Sequence, residues 1–254
     1  MTRIAVFDSG LGSLSIIKSL QKQMKSNIIY FADSKNFPYG KKSITEIKNI
    51  TTQTIKLLET SFKIDCIIVA SNTLSFTLDK NRKNIFYVLP PLKEAKNISK
   101  CNNIAILATK SIVDSNLLDN YIKNQSVTNC NILKINASPL VNLVESGKFY
   151  SDKEFCRKII KKILAKSFYQ HNIDVVTLSS THLAFIIDLL EEIFPHIKFL
   201  DPSLILAKKL KKIFIKNNSK KNTIKIFSSG NTTSFENKLK EIGIKNSVHY
   251  LSHK

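Results

Sequence analysis

The chain has 254 residues, 43% of them hydrophobic and 23% charged, and no apolar run reaches the ~20 residues of a membrane span. That make-up reads as a soluble globular protein of one large or two small domains rather than a membrane-embedded one. The formal charge of +20 would suit a nucleic-acid partner, but Lys is spread along the whole chain beside abundant Asn and Ile, with no RNP aromatics, helix-turn-helix or finger pattern, so nucleic acid is not an expected partner.

Strand and helix signals alternate from the start. Arg3 to Phe7 is a short apolar run, turning at Asp8-Ser9-Gly10, after which Leu14, Ile17, Leu20 and Met24 recur at helical spacing. Asn27 to Phe31 reads as the next strand, ending at Ala32-Asp33, and a polar loop with Phe37-Pro38-Tyr39-Gly40 follows. A long helix is expected over Ile44 to Phe62 and a strand, apolar on both faces, over Cys66 to Ala70. The plan then repeats: a strand at Asn103 to Thr109, a helix from about Ser111 to Lys123, a strand near Ile132 to Ile135, a long helix over Ser151 to Gln170 and a strand at Val175 to Leu178. A helix over Ser203 to Ile215, with Lys208, Lys209, Lys211 and Lys212 on its outer side, a strand at Thr223 to Phe227 and a final short helix complete the chain.

Such alternation predicts parallel βαβ units. Two stretches show that the plan is a duplication. IIVASNTLSF, Ile67 to Phe76, and VVTLSSTHLAF, Val175 to Phe185, both run from a strand into a serine-centred turn. Aligned, Asp65 matches Asp174, Ser71 matches Ser180, and Leu74 and Phe76 match Leu183 and Phe185. The expected fold is α/β, with two pseudo-symmetric domains, each a mostly parallel sheet flanked by helices. Leu89-Pro90-Pro91 marks a boundary, because consecutive prolines end regular structure. The expected domains are 1–92 plus 207–254, and 93–206. Ligands of parallel sheets collect at the carboxyl ends of strands. Asp8-Ser9, Asp33, Ser71-Asn72-Thr73, Thr109 and Ser180-Thr181-His182 all lie at such ends, which points to a small ligand at the domain interface.

Asp8-Ser9-Gly10-Leu11-Gly12, Asp33 within YFAD, Pro38-Tyr39-Gly40, Asn72-Thr73, Glu145 in SPLVNLVE, Thr181-His182 and Phe227-Ser228-Ser229-Gly230 resemble, in order, the fingerprints of the glutamate racemase family, within the aspartate/glutamate racemase superfamily. The resemblance covers nearly the whole chain. It implies two pseudo-symmetric α/β domains, no cofactor and no metal, and an isomerase that interconverts L- and D-glutamate for peptidoglycan synthesis in the cytoplasm. In the family, one cysteine per domain stands on each face of the substrate α-carbon; one thiolate removes the proton and the other thiol returns it. Here those positions are Ser71 and Ser180. By resemblance the catalytic set is Ser71, Ser180, Asp8, His182, Asp33 and Glu145. Substrate contacts are Ser9, Pro38, Tyr39, Gly40, Asn72, Thr73, Thr109 and Thr181. Glutamate is the expected partner, a membrane is not, and a homodimer is the candidate assembly. The alternative reading is a glutamate-binding or regulatory protein without the chemistry.

Each of these residues also has an ordinary structural explanation. Serines at strand-to-helix turns commonly cap helices, Asp8 could cap, His182 could be a half-buried histidine, and Ser, Thr, Asn and Gly are turn residues. The cysteines at 66, 101, 130 and 156 form no CxxC pair or zinc spacing and read as free thiols. Cys66 lies five residues before Ser71, ~16 Å along a strand, so it does not substitute for a thiol there.

Overall fold

The computed structural model describes residues 2–78, 82–214 and 221–252. Ile215, where the last long helix was expected to end, and His253 lie outside them. In chain order the chain forms β1 (Arg3–Asp8), α1 (Ser13–Gln23), β2 (Asn27–Ala32), α2 (Ile44–Ser61), β3 (Cys66–Val69), α3 (Asn72–Thr77) and β4 (Ile85–Tyr87). It continues through α4 (Leu92–Ile98), β5 (Asn103–Ala108), α5 (Lys110–Val113), α6 (Asn116–Asn124), β6 (Asn131–Asn136), α7 (Ser138–Glu145), α8 (Lys148–Ser151) and α9 (Lys153–Gln170). Then come β7 (Val175–Ser179), α10 (Ile187–Ile193), β8 (Lys198–Leu200), α11 (Pro202–Ile213), β9 (Thr223–Ser228), α12 (Thr232–Glu241) and β10 (Val248–Tyr250). Two compact units result, Met1–Val88 with Ser203–Lys254, and Leu89–Pro202.

The first unit holds a six-stranded sheet in the order β10-β9-β2-β1-β3-β4, the second a four-stranded sheet in the order β6-β5-β7-β8. Every pairing is parallel. Matched strand for strand, β2-β1-β3-β4 and β6-β5-β7-β8 are one plan, so the duplication seen in the turns extends to the sheets. The first unit adds β9 and β10 beyond β2. In both, the chain leaves the central strand to one side and then crosses to the other, the kind of switch point where parallel sheets place ligands.

Burial on both faces explains why the strands are continuous apolar runs. In the first unit Ala5, Phe7, Ile29, Phe31, Ile67 and Val69 pack under Ile47, Ile55 and Leu58 of α2. Leu58 is fully buried, a contribution of roughly 1.5–3 kcal/mol for such a side chain. A capping box between Ser43 and Glu46 starts α2. In the second unit Cys156, Ile160, Leu164 and Phe168, spaced by four along α9, cover Ala105, Leu107, Val176 and Leu178. Asp152 begins α9 by accepting from Phe155 N at 3.0 Å. The aligned aspartates latch the start of each central strand. Asp65 accepts from Arg3 N at 2.8 Å, and Asp174 accepts from Ser99 Oγ at 2.6 Å, Lys100 N at 2.5 Å and Cys101 N at 3.2 Å.

One expected helix is two. The run from Ser111 to Lys123 breaks after α5, where Ser115 is extended (φ −96°, ψ 144°) and its hydroxyl donates to Ile112 O at 2.8 Å. A serine that takes a carbonyl of the preceding turn competes with the helix at that point.

Candidate functional site

In the first unit the site begins where β1, β2 and β3 end. Register pairs Phe7 with Val69, so Ser9 and Ser71 stand level just beyond adjacent strands. Ser71 occupies the residue before α3 with an extended backbone (φ −133°, ψ 125°), and its side chain makes no capping bond. Capping therefore does not account for this serine. The turn is held by other groups: Ser75 Oγ donates to Val69 O at 3.2 Å and accepts from Val88 N at 3.1 Å, tying α3 to the end of β4. Ser71, Asn72 and Thr73 are all buried. Asn72 is distinctive, because neither its amide nitrogen nor its oxygen has a hydrogen-bond partner. A buried polar group in that state costs about 1–3 kcal/mol, which a polar ligand would recover.

The carboxylate of Asp33, fully buried, anchors the neighbouring loop. It accepts from Tyr39 Oη at 2.9 Å, from Asn36 Nδ2 at 2.9 and 3.1 Å, and from Ser229 Oγ at 2.7 Å. Ser229 Oγ also accepts from Lys35 N at 3.1 Å, and Ser34 and Ser228 hydroxyls meet at 2.6 Å. A Cβ on Gly230 would sit 2.7 Å from Ser34 Oγ, so a larger residue there would displace that hydroxyl from Ser228. Burial, then the charges of Asp33 and Asp8, push the Tyr39 phenol well above its ordinary pKa, so it stays a proton donor. Asp8 accepts from Ser9 N at 2.7 Å, and its carbonyl accepts from Asp33 N at 2.7 Å. Pro38 follows a cis peptide bond, and the 3₁₀ turn Tyr39–Lys41, which contains Gly40, packs on α3. Asp8, Ser9, Asp33, Pro38, Tyr39, Gly40, Ser71, Asn72 and Thr73 thus belong to one strand-end rim.

In the second unit, Ala108 pairs with Ser179, so Thr109 and Ser180 stand level in the same way. Ser180 has nearly the backbone of Ser71 (φ −143°, ψ 132°) and likewise caps nothing. Beyond it the chain tightens into a 3₁₀ helix, Thr181–Ile186, packed on α7. That geometry brings His182 Nε2 to 2.6 Å from Oε1 of Glu145, the last residue of α7, with side chains only 10% and 13% exposed. Thr109, half-buried, shares a 3.2 Å contact with Ser111 Oγ. Thr109, Glu145, Ser180, Thr181 and His182 form this rim.

Ser229 and Asn36 were absent from the expected site residues. Ser228-Ser229-Gly230 stood out in the sequence, but it lies almost 200 residues from the Asp33 it bonds, and no local pattern states that partnership. All four cysteines are free thiols. Burial and then Asp65 push the Cys66 thiol up to about 12, so it is inert at neutral pH. Among the described residues no cluster of His, Cys, Asp and Glu could hold a metal ion, and no helix is long and apolar enough to cross a membrane.

No protein-family model matches the chain. Glutamate racemase of Clostridium acetobutylicum is 34% identical over 245 residues, 89% of this chain and 91% of that protein. That of Clostridium kluyveri is 32% identical over 243 residues, 90% and 92% of the two chains. Among solved structures, glutamate racemase of Francisella tularensis in complex with D-glutamate superposes with a TM-score of 0.80 at 24% identity over 100% of this chain and 98% of that one. The Escherichia coli glutamate racemase in complex with L-glutamate gives 0.82 at 20% identity, covering 99% and 98%. The two-domain parallel α/β fold is that of these enzymes, and the chain belongs to the glutamate racemase family.

Proposed function

We propose that the protein binds glutamate in the cytoplasm and interconverts its L- and D-forms without a cofactor, for peptidoglycan synthesis, with Ser71 and Ser180 in the two acid/base positions. The observation that carries this is the repeated turn: two buried serines with matching backbones, at helix starts, whose hydroxyls cap nothing. Asn72 supports it, since a carboxamide with donor and acceptor both unpartnered suits the α-carboxylate and ammonium of an amino acid. Asp8, Asp33, Glu145 and His182 position the turns, and Ser9, Pro38, Tyr39, Gly40, Thr73, Thr109 and Thr181 contact the ligand.

In the reaction one position takes the α-proton, the carbanion is reprotonated from the opposite face by the other, and the α-carbon inverts with no net change in protons. Serine makes this slow. A thiol has a pKa near ~8.5, whereas an unactivated hydroxyl is a far weaker acid, close to water. The gap of about 7 units corresponds to roughly 10 kcal/mol for forming the base, an upper bound because the stronger base recovers part in the transfer. Among the described residues, neither hydroxyl is hydrogen-bonded to a His or carboxylate that would lower this cost.

The test is loss of the glutamate α-proton in D₂O, followed by proton NMR from L- and D-glutamate separately. Protein-dependent exchange from both forms is expected. A flat signal from the unmodified protein beside an active Ser71→Cys/Ser180→Cys variant would replace racemisation by glutamate binding. A flat signal from both would end the assignment.

A further inference from the structure

The fold gathers cations that the sequence scatters. Because every pairing in the first unit's sheet is parallel, all six strands start on one rim, opposite the candidate site. Each strand has a Lys or Arg at its first residue or within the three before it: Arg3 for β1, Lys25 for β2, Lys63 for β3, Lys83 for β4, Lys221 for β9 and Lys245 for β10. With 39 Lys and Arg in 254 residues, a window of four holds one about half the time. The second unit follows that chance, with Lys100 before β5, Lys198 opening β8, and none at β6 or β7. The first unit departs from it at every strand.

Register aligns the starts of β1, β2 and β9. Arg3 pairs with Asn27, and Asn27 with Thr223. Lys83 lies in the turn that opens β4, closed by Ile85 N donating to Arg82 O at 3.2 Å, and Lys245 lies in the loop three residues before β10. Lys25, Lys63 and Lys221 lie in the connections that lead into β2, β3 and β9, two or three residues before each strand. At ~4.8 Å between strands the row runs about 24 Å. The five lysines are exposed and Arg3 is half-buried. Among the described residues the acidic groups at this end are mostly engaged: Asp65 with Arg3 N, Glu59 with Arg82, and Glu236 with Lys240 and Val248 N, while Glu241 ends α12. By composition the first unit holds 25 of the 39 basic and 8 of the 19 acidic residues, hence +17 of the +20.

We propose that this rim binds the phosphate backbone of duplex nucleic acid without reading its sequence. A narrow row of point charges matches a linear polyanion; about 24 Å spans roughly seven phosphates of one strand at 3.4 Å each along the axis. Among the described residues, the connections that carry these lysines expose no large hydrophobic side chain, which a membrane-surface site would need for insertion. Lysine ammoniums neutralise phosphates and lack the planar fork that reads guanine.

The test is fluorescence anisotropy of the full chain with a labelled 20-base-pair duplex of arbitrary sequence, between 50 and 200 mM salt. A log–log salt slope of about −4 to −5 is expected, ~0.9 per neutralised phosphate. Replacing Lys25, Lys63, Lys83 and Lys221 by Gln makes the slope shallower by about 3 to 4 and weakens binding more than 100-fold at 100 mM salt. The same change at Lys158, Lys161, Lys162 and Lys166 on α9 alters the charge equally and weakens binding by less than about 5-fold. Should the rim quadruple variant melt early, Lys25→Gln/Lys83→Gln gives half the slope change. Equal losses from both quadruple variants would reduce the effect to net charge and overturn the proposal. Absence of duplex binding at 50 mM salt overturns it as well, as does rim-dependent binding to phosphatidylserine vesicles without duplex binding.

Discussion

The two serine turns begin alike and end differently. Up to Ser71 and Ser180 the strands, register and backbone angles match. Beyond them the first chain enters an α-helix pinned through Ser75, whereas the second tightens into a 3₁₀ helix that delivers His182 to Glu145. The carboxylates differ accordingly. Asp33 is held by a phenol, an amide and a hydroxyl contributed partly by the returning end of the chain; Glu145 is held by one imidazole among its contacts. Duplication preserved what the backbone needs at a strand end and left each unit to solve its carboxylate separately. The first unit's solution is a network of neutral donors and the second's includes a close imidazole–carboxylate contact.

The largest expected effect tests what the turns share. Ser71→Cys/Ser180→Cys should raise α-proton exchange at least 10³-fold, a fraction of the roughly 10 kcal/mol bound. Single Cys variants should each favour exchange from one enantiomer, and equal acceleration of both by either variant would break the one-serine-per-face assignment. Next comes the difference between the carboxylates. Asp33→Ala strands three donors and should cost about 3 kcal/mol in urea unfolding, against about 2 for Glu145→Ala. A reversed order would show the histidine pair to be the stiffer anchor.

Asn72→Ala sharpens the contrast from the ligand's side. Removing an unpartnered buried amide should leave stability unchanged or higher while weakening glutamate binding about 5- to 100-fold by calorimetry, equivalent to 1–3 kcal/mol. A loss of stability without loss of affinity would return Asn72 to a structural role. The smallest effect appears at alkaline pH. The Tyr39 phenol has its pKa raised in the folded state, so the unfolded chain releases this proton first, near pH 10. The stabilisation is full below that pH and lost above it, by about 1.4 kcal/mol per pH unit until the folded group titrates. Tyr39→Phe should flatten this part of the urea-midpoint profile; an unchanged slope would place the alkaline loss elsewhere.

Much of the fold was legible because parallel strands buried on both faces leave apolar runs, and α2 and α9 repeat their buried residues every three to four positions. The three-residue strands β4, β8 and β10 carry too few side chains for any periodicity, and the break at Ser115 depends on where one hydroxyl turns. In the site, Asp8, Ser71, Asn72, Ser180 and His182 stood out because they repeat or fill a motif at strand ends. Ser229 and Asn36 did not, because their importance lies in a bond to Asp33 rather than in their own surroundings.

By itself the sequence determined the α/β class, the duplication and the two serine positions, since burial and chain direction act through local pattern. Tertiary structure alone decided that neither serine caps its helix, that Asn72 is left without a partner, and that the tail closes on Asp33. It also decided that lysines dispersed in sequence stand in one row, because parallel pairing sets every strand start on the same edge.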